Sequence, residues 1–251
     1  MKDYIMLKLR FLNGNMLKII AAITMLVDHM GLLFFPNEEI FRIIGRFAFP
    51  IFAFMIAEGC RYTRNKARYF SMIFGLAFIC QVVYYVFDGS LYMCVLVTFS
   101  LSILALFALD NFKYIAFESD ASLLQKFLAG GLFIAVVAFI YFLNLFMQID
   151  YGFWGCMLPV FAGLLHMPKN CNIAFLQKLD NNLTGVILLG LGLVPLMLEV
   201  GWVQPYSLMA LVPLLLYSGK RGKLNMKYFF YIFYPLHLVL LEGIYLLLNM
   251  R

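Results

Sequence analysis

Five ionisable side chains lie inside long apolar stretches of this sequence, where an unpaired charge is energetically costly. They are Asp28, His29, Glu58, His237 and Glu242. Ionisable groups in such surroundings usually face a cavity or a charged partner, and they often transfer protons or bind a substrate. Imidazole in particular suits general base catalysis, because its pKa lies near neutrality. The residue types therefore indicate proton transfer or ligand binding at an internal site.

The dipeptide Asp28-His29 is the strongest of these candidates. In a helix, neighbouring side chains point about 100° apart, so the two cannot both face one small target squarely. We expect one of them to face a cavity while the other pairs with a neighbouring helix. The catalytic interpretation makes His29 a general base whose partner carboxylate is Asp28 or comes from elsewhere. In the competing interpretation, the two residues form a buried polar pair that only joins helices.

Arg42 and Arg46 are four residues apart, so a helix would place two like charges side by side. An anion or a carboxylate lying between them would relieve their repulsion. The candidate carboxylates are Glu38, Glu39, Asp28 and Asp150. Alternatively, the arginines extend outwards to a polar interface, an interpretation that suits Arg42 better than the deeper Arg46.

A basic segment follows Glu58 and contains Arg61, Arg64, Lys66 and Arg68. Guanidinium groups bind phosphates through paired N–H donors, so this segment could hold a phosphorylated ligand. Glu58 can reach Arg61 or Tyr62, three and four residues later in a helix, so it would be a structural partner of Arg61 or a wall of the cofactor channel. A plain basic loop that anchors the chain at the cytoplasmic face is the simpler interpretation.

Two more polar positions lie near predicted helix ends or bends. Asp150 precedes a short apolar segment, where an aspartate would first cap the helix and could secondly orient a histidine. Pro235 frees a backbone carbonyl in the last apolar stretch, between Tyr234 and His237. His237 could therefore hydrogen-bond to another helix, in a structural or a functional role.

The composition identifies the elements that must position these residues. Of 251 residues, 64% are hydrophobic and 13% charged, against roughly half and a quarter in soluble domains. This excludes a soluble globule and a disordered chain, and leaves a polytopic membrane protein. The net charge of +6 comes from short basic runs between apolar segments, which indicates membrane orientation rather than nucleic-acid binding. The five cysteines are dispersed, so we expect neither a disulfide framework nor a metal site.

Apolar windows of about 20 residues, the length that crosses a bilayer, predict nine helices in a single domain, residues 1–251. The predicted spans are 17–35, 43–59, 67–87, 91–109, 123–147, 151–166, 183–200, 205–217 and 228–248. The sixth and eighth are short and contain Pro159 and Pro213, which is typical of segments that line a cavity. With a cytoplasmic N-terminus, 16 of the 19 Lys and Arg residues fall on the inner side, as the positive-inside rule requires. We therefore predict an all-α, polytopic integral membrane bundle in the cell membrane.

Four segments of the chain together resemble the TraX family. They are LKIIAAITMLVDHMGLLFFP, RIIGRFAFPIFAFMIAEGCRYTRNKARY, QIDYGFWG and YFFYIFYPLHLVLL. The segments occur in order between residues 17 and 241, and the pattern RxxGRxAFPIFxF followed by EGxxxTRN is long and specific. The best-known role of that family is N-terminal acetylation of conjugative pilin. The resemblance implies a multi-pass protein of the bacterial plasma membrane.

The chain is also distantly similar to a broader group of membrane acyltransferases, including the sugar O-acetyltransferases and the lysosomal heparan glucosaminide N-acetyltransferase. In that group, acyl-CoA enters from the cytoplasm, and a histidine near the far side serves the acceptor. Carried over to this sequence, the resemblance implies that His29 is catalytic and that Arg61 and Arg64 bind the cofactor's phosphates.

We predict an acyltransferase that moves an acetyl or other acyl group from acyl-CoA, in the first instance acetyl-CoA, to an amine or hydroxyl of a peptide or sugar. His29 would remove the acceptor's proton, and Arg46 would stabilise the oxyanion or hold a carboxylate. Asp28 or Asp150 would fix the tautomer of His29. The predicted site residues are His29, Asp28, Arg46 and Asp150 for catalysis, Glu58, Arg61, Arg64 and Arg42 for the cofactor, and His237 and Tyr234 for the acceptor.

Two other functions fit the same residues. In a transporter, Asp28, His29 and Glu58 would relay protons or bind a substrate, although the sequence lacks the similar halves of many transporters. In a non-catalytic protein of a pilus or secretion assembly, His29 would be dispensable and coenzyme A would not bind. The expected partners of the acyltransferase are acyl-CoA, a peptide or sugar acceptor and the lipid bilayer, without nucleic acid.

Overall fold

The computed structural model describes residues 10–89, 91–224 and 226–249, and this part of the chain is all-α. Its elements are α1 (Gly14–Phe34), α2 (Glu39–Gly45), α3 (Ala48–Tyr62), α4 (Lys66–Asp88), α5 (Val95–Ala116), α6 (Leu123–Phe146), α7 (Gly152–Gly163), α8 (Ala174–Leu179), α9 (Asn182–Val200), a 3₁₀-helix (Gln204–Ala210), α10 (Leu211–Leu215) and α11 (Lys227–Asn249). Within the described ranges the β-structure is limited to isolated bridges, which join Leu12 to Tyr217 and Met93 to Ile149. The predicted all-α fold class is confirmed.

Seven helical segments of the described chain are long and apolar enough to cross a membrane, so this is a multi-pass membrane protein. They are Gly14–Phe34, Glu39–Tyr62, Lys66–Val86, Val95–Ala116, Leu123–Phe146, Asn182–Val200 and Tyr228–Asn249. The other two predicted spans are shorter: α7 has 12 residues, and the eighth span is divided between the 3₁₀-helix and α10. The count of nine crossings and the cytoplasmic N-terminus stay predictions.

The bundle has two chemically different ends. The chain enters α7 next to Asp150 and leaves it at Gly163, whose carbonyl accepts a hydrogen bond of 3.0 Å from Lys113 Nζ. We call the end with Asp150 the cavity end and the end with Lys113 the basic end. The exposed basic segment 61–68 also belongs to the basic end. The short helix α7 therefore runs from one end to the other.

The centre of the bundle is formed by α3, α5 and α7. Their fully buried side chains include Ile51, Phe54, Ile103, Leu106 and Leu158. In contrast, α4, α6 and α11 are largely exposed and apolar, as expected for helices that contact lipid. The polar residues of the cavity end thus lie next to a tightly packed apolar centre.

The second spanning segment is broken between α2 and α3, at Arg46 and Phe47. Because α3 starts just after this break, Pro50 falls in its first turn, where the missing N–H has no helical partner to lose. The predicted span 43–59 is therefore longer than expected and divided. Before the break, Gly45 packs so closely on Asp28 that a Cβ there would overlap the carboxylate. The missing side chain allows α2 to approach α1 at the candidate site.

Candidate functional site

A polar cavity of about 930 Å³ lies at the cavity end of the bundle. Its polar lining includes Asp28, His29, Arg42, Arg46, Tyr92, Asp150, Tyr151 and Glu199. All four residues that were predicted to be catalytic line this one cavity, together with Tyr234 from the predicted acceptor set. Charged groups collected in an otherwise apolar bundle make this cavity the candidate functional site.

Asp28 lies between Arg42 of α2 and Arg46 of the break. Its Oδ2 is 2.8 Å from Arg42 Nη1, and its Oδ1 is 3.1 Å from Arg46 Nη2. Arg46 is buried, and it also donates to the carbonyl of Arg42 and to Gln204 Oε1. The prediction that a carboxylate separates the arginines is confirmed, and for Arg46 the alternative of an outward extension is wrong. One negative and two positive charges leave the cluster with an excess of positive charge.

The backbone sets the orientation of His29. Its Nδ1 lies 3.0 Å from the carbonyl oxygen of Met25, one helical turn earlier. A carbonyl oxygen can only accept, so Nδ1–H donates, and in the neutral ring Nε2 carries the lone pair. The prediction that Asp28 or Asp150 fixes this tautomer is wrong, because the partner of Nδ1 is the Met25 carbonyl.

His237 of α11 lies beside His29, with ring centroids 5.0 Å apart. Its Nδ1 donates to the carbonyl of Phe233 at 3.1 Å, the same arrangement that orients His29. The His237 side chain is buried, and its Nε2 has no hydrogen-bond partner among the described residues. The structure thus brings together the histidine predicted for catalysis and the one predicted for the acceptor.

Asp150 lies on another wall of the cavity, before α7. The Tyr92 hydroxyl donates to its Oδ1 at 2.8 Å, and the Thr98 hydroxyl donates to its main-chain oxygen at 2.7 Å. The N-cap of α7 is Tyr151, which has a left-handed φ of 61°, and no side chain caps the helix. The predicted capping role of Asp150 is therefore wrong, and its carboxylate is available to the cavity.

The carboxyl of Asp150 is unusually easy to protonate. Burial raises its pKa from the ordinary 3.8 to about 6, although the Tyr92 hydroxyl and the Arg46 charge favour the ionised form. The folded protein therefore holds this proton more tightly than the unfolded chain does. Consequently, the contribution of Asp150 to stability falls as the pH rises from about 4 to about 6, and it is constant outside that window.

We expect Asp150→Asn to remove this pH dependence. The stability of the wild type relative to the variant should fall between about pH 4 and 6, by at most about 3 kcal/mol. Thermal unfolding of both proteins in detergent, measured from pH 4 to 7, tests this expectation. A stability difference that does not change across this pH range would contradict the raised pKa of Asp150.

At the basic end, two residues predicted to bind the cofactor have other partners. Arg61 forms a two-pronged ion pair with Asp180, with distances of 2.7 and 3.0 Å. Glu58 is buried and accepts a hydrogen bond of 3.2 Å from the Tyr217 hydroxyl. The other carboxylate oxygen of Glu58 lies 3.7 Å from His166 Nε2, so the alternative in which Glu58 is the structural partner of Arg61 is wrong.

The four residues predicted to bind the cofactor do not form one site, because Arg42 lies at the cavity end while Arg64 is exposed at the basic end. Arg61 lines a separate cavity of about 560 Å³. Its charged and titratable lining is Arg61, Lys66, Asp110, Lys113, His166 and Lys169. Such cations suit phosphate groups, but Lys113 Nζ already donates to the carbonyls of Gly163 and His166.

Sequence reasoning missed Glu199, Gln204, Tyr92 and Tyr151. Gln204 is buried beside Arg46, and its Nε2 has no partner among the described residues. The ring of Tyr151 stacks on Phe49 with centroids 3.8 Å apart and lies 5.9 Å from the Arg46 guanidinium. A neutral amide in an apolar stretch was the available signal for Gln204. The two tyrosines carry no comparable signal, because the chain contains 15 tyrosines.

Comparisons with known proteins identify the family. The chain is 43% identical to an uncharacterised protein of Rickettsia prowazekii (strain Madrid E) over 54 residues, 22% of this chain and 21% of that protein. It is 35% identical to a probable fimbrial assembly protein FimC (serogroup H1) of Dichelobacter nodosus over 72 residues, 27% of this chain and 30% of that protein. The matches thus span less than a third of the length of these curated relatives, and no solved structure matches significantly. The family model described as TraX protein matches residues 13–245, nearly the whole chain, so this protein belongs to the TraX family.

Proposed function

We propose that this protein is a membrane acyltransferase of the bacterial plasma membrane. It would move an acetyl or similar group from acyl-CoA to an amine or hydroxyl of a peptide or sugar. The observation that carries the proposal is the orientation of His29: its Nδ1–H donates to the Met25 carbonyl, inside a polar cavity that is also lined by Arg42 and Arg46. This arrangement provides a histidine base next to cations that can stabilise a developing oxyanion.

The residues of the cavity have distinct roles in this proposal. Bound acyl-CoA would supply an acyl group that is activated as a thioester. His29 Nε2 removes a proton from the acceptor as the acceptor's nitrogen or oxygen bonds to the acyl carbon. As the carbon–sulfur bond breaks, His29 returns that proton to the leaving sulfur. Arg46, held by Asp28, supplies positive charge near the acyl oxygen.

A role in pilus or fimbrial assembly is the second part of the proposal. Its support is membership of the TraX family and the partial match to a probable fimbrial assembly protein. Acylation of an assembly component would unite this role with the chemistry of the cavity. The component with a free amino terminus is the first acceptor to examine, since amines are acylated readily once deprotonated.

The proposed function can be tested in two steps with the detergent-purified protein. Calorimetric titration should detect acetyl-CoA binding at micromolar concentrations. The protein should then transfer labelled acetyl to a peptide with a free amino terminus, with the same peptide blocked at that amine as the matched control. If a folded protein neither binds acetyl-CoA nor longer acyl-CoAs, the proposal is overturned in favour of a transporter or a non-catalytic assembly protein.

A further inference from the structure

A narrow apolar cavity of about 110 Å³ lies next to the polar cavity, on the side of the basic end. Met25, Phe52, Phe99 and Tyr234 line both cavities, so the two are neighbours on either side of the same four side chains. At its other extreme the narrow cavity is lined by Lys18, in the second turn of α1. We call this narrow cavity the passage, because it lies between Lys18 and the polar cavity.

One face of α1 extends along the whole passage. Lys18, Met25 and His29 are separated by seven and four residues, so their side chains lie within about 20° to 40° of one another around the helix. Lys18 and His29 are about 16 Å apart along the axis. A linear ligand that lies along this face would have one end at a cation and the other at the candidate base.

Another wall of the passage is a face of α11, and side chains of α3, α4 and α5 complete its lining. Phe230, Tyr234 and His237 are spaced by four and three residues, so they lie on one side of that helix. The two helices meet at both ends of the passage. Lys18 Nζ lies 5.9 Å from the Phe230 ring centroid, and the His29 and His237 rings are 5.0 Å apart.

A basic loop, residues 218–224, lies against the start of α1 at the Lys18 end of the passage. The amide of Gly14 donates to the carbonyl of Lys220 at 2.8 Å, and the amide of Asn15 donates to the carbonyl of Arg221 at 3.1 Å. A shallow cavity of about 550 Å³ beside this loop is lined by Arg10, Lys220 and Lys223, whose side chains are partly or fully exposed. The loop therefore carries its cations to the start of α1, one turn before Lys18.

The Arg61 cluster has no such connection to the candidate base. Neither Arg61 nor Arg64 lines the passage, and the guanidinium of Arg61 is already bound by Asp180. The cation that lines the passage is Lys18. Position in the sequence favoured this cluster for phosphate binding, whereas the contacts of the loop 218–224 with the start of α1, one turn before Lys18, favour the loop.

We propose that the phosphates of the acyl donor bind to Lys18 and the basic loop 218–224, and that its thioester arm lies in the passage between α1 and α11. The proposal rests on the proposed function, because it assumes a nucleotide-bearing acyl thioester as donor. The apolar lining suits an uncharged, flexible arm, and the polar cavity receives the acyl group. No covalent step is added to the chemistry of His29.

The phosphate part is tested by comparing two double variants at exposed cations of the basic end. Lys220→Ala with Lys223→Ala should weaken acetyl-CoA binding at least about tenfold, because charge-assisted contacts to phosphate are lost. The same variant should bind acetyl-pantetheine, which lacks phosphates, as the wild type does. Arg64→Ala with Arg68→Ala removes the same charge from the other cluster and should change acetyl-CoA binding less than about twofold. If this second variant shows the larger loss, the proposal is overturned.

The passage is tested with a tryptophan pair on α4. Leu76 lines the passage, so Leu76→Trp should abolish measurable binding of both acetyl-CoA and acetyl-pantetheine. Phe78 of the same helix is 67% exposed, so Phe78→Trp controls for the new indole and should bind both ligands normally. Thermal unfolding verifies that both variants fold. If a folded Leu76→Trp protein binds acetyl-pantetheine like the wild type, the passage assignment fails, whereas absence of binding by the wild type would instead reject the proposed function itself.

Discussion

His29→Gln is expected to reduce acyl transfer roughly 10²–10⁴-fold, the range over which a positioned general base contributes to a rate. A glutamine amide retains hydrogen-bonding capacity next to the Met25 carbonyl but cannot accept a proton. Nor does the change alter the charge of the neighbouring Asp28 cluster when His29 is neutral. Single-turnover transfer of labelled acetyl to a peptide amine measures the loss directly.

The matched measurement is acetyl-CoA binding by the same variant. Because His29 acts on the acceptor's proton in this mechanism, the dissociation constant for acetyl-CoA should remain within about twofold of the wild-type value. Full transfer activity in His29→Gln would eliminate the histidine mechanism. Loss of binding together with activity would also count against it, because it would assign His29 to donor binding.

The sequence was sufficient to identify the main residues of the cavity because they violate the apolar pattern around them. Asp28, His29 and Arg46 are each costly in an apolar helix, as is His237, which lies beside His29 although it does not line the cavity, and that cost is a signal that can be read without a structure. The carboxylate between the arginines followed from like-charge repulsion, and Asp28 was among the candidates. Residues that stand out energetically were therefore found by type and spacing alone.

The sequence does not identify the hydrogen-bond and ion-pair partners of these residues in the same way. The hydrogen bond that orients His29 ends on the backbone of Met25, and every residue has such a carbonyl, so the sequence gives no preference. Arg61 and Asp180 are 119 residues apart in the sequence, and nothing local connects them. Pairings of this kind depend on how the helices pack. The sequence alone therefore could not show that the guanidinium of Arg61 is already bound by Asp180.

The bounds of the spanning helices likewise depend partly on local sequence and partly on tertiary packing. Hydropathy identified the long helices, because each must supply about 20 apolar residues of its own. The break at Arg46 arises instead from packing of α2 on Asp28, with Gly45 as the point of contact. The start of α7 at Gly152 depends on the left-handed Tyr151, whose ring is stacked on Phe49 of α3. Neighbouring helices determine both features, so a count of apolar residues along the sequence cannot predict them.

The two arginines on Asp28 should differ strongly in their importance for stability, although both bind the same carboxylate. The Arg46 side chain is only 8% exposed, whereas that of Arg42 is 36% exposed, even though Arg42 makes the shorter contact. We expect Arg46→Met to lower the free energy of unfolding by about 3 kcal/mol, because a buried charge network loses one of its partners. Arg42→Met should cost within about 1 kcal/mol, since water already screens that pair.

Denaturant unfolding of the two methionine variants in the same detergent makes this comparison, and each variant is the control for the other. Both substitutions remove one positive charge from Asp28 and add a flexible apolar chain, so they differ in burial and in the further hydrogen bonds of Arg46 to the Arg42 carbonyl and to Gln204. Equal losses, or a larger loss for Arg42→Met, would contradict the ranking by burial and favour ranking by distance. The expected order would identify Arg46 as the residue that holds Asp28 of α1 against the break between α2 and α3.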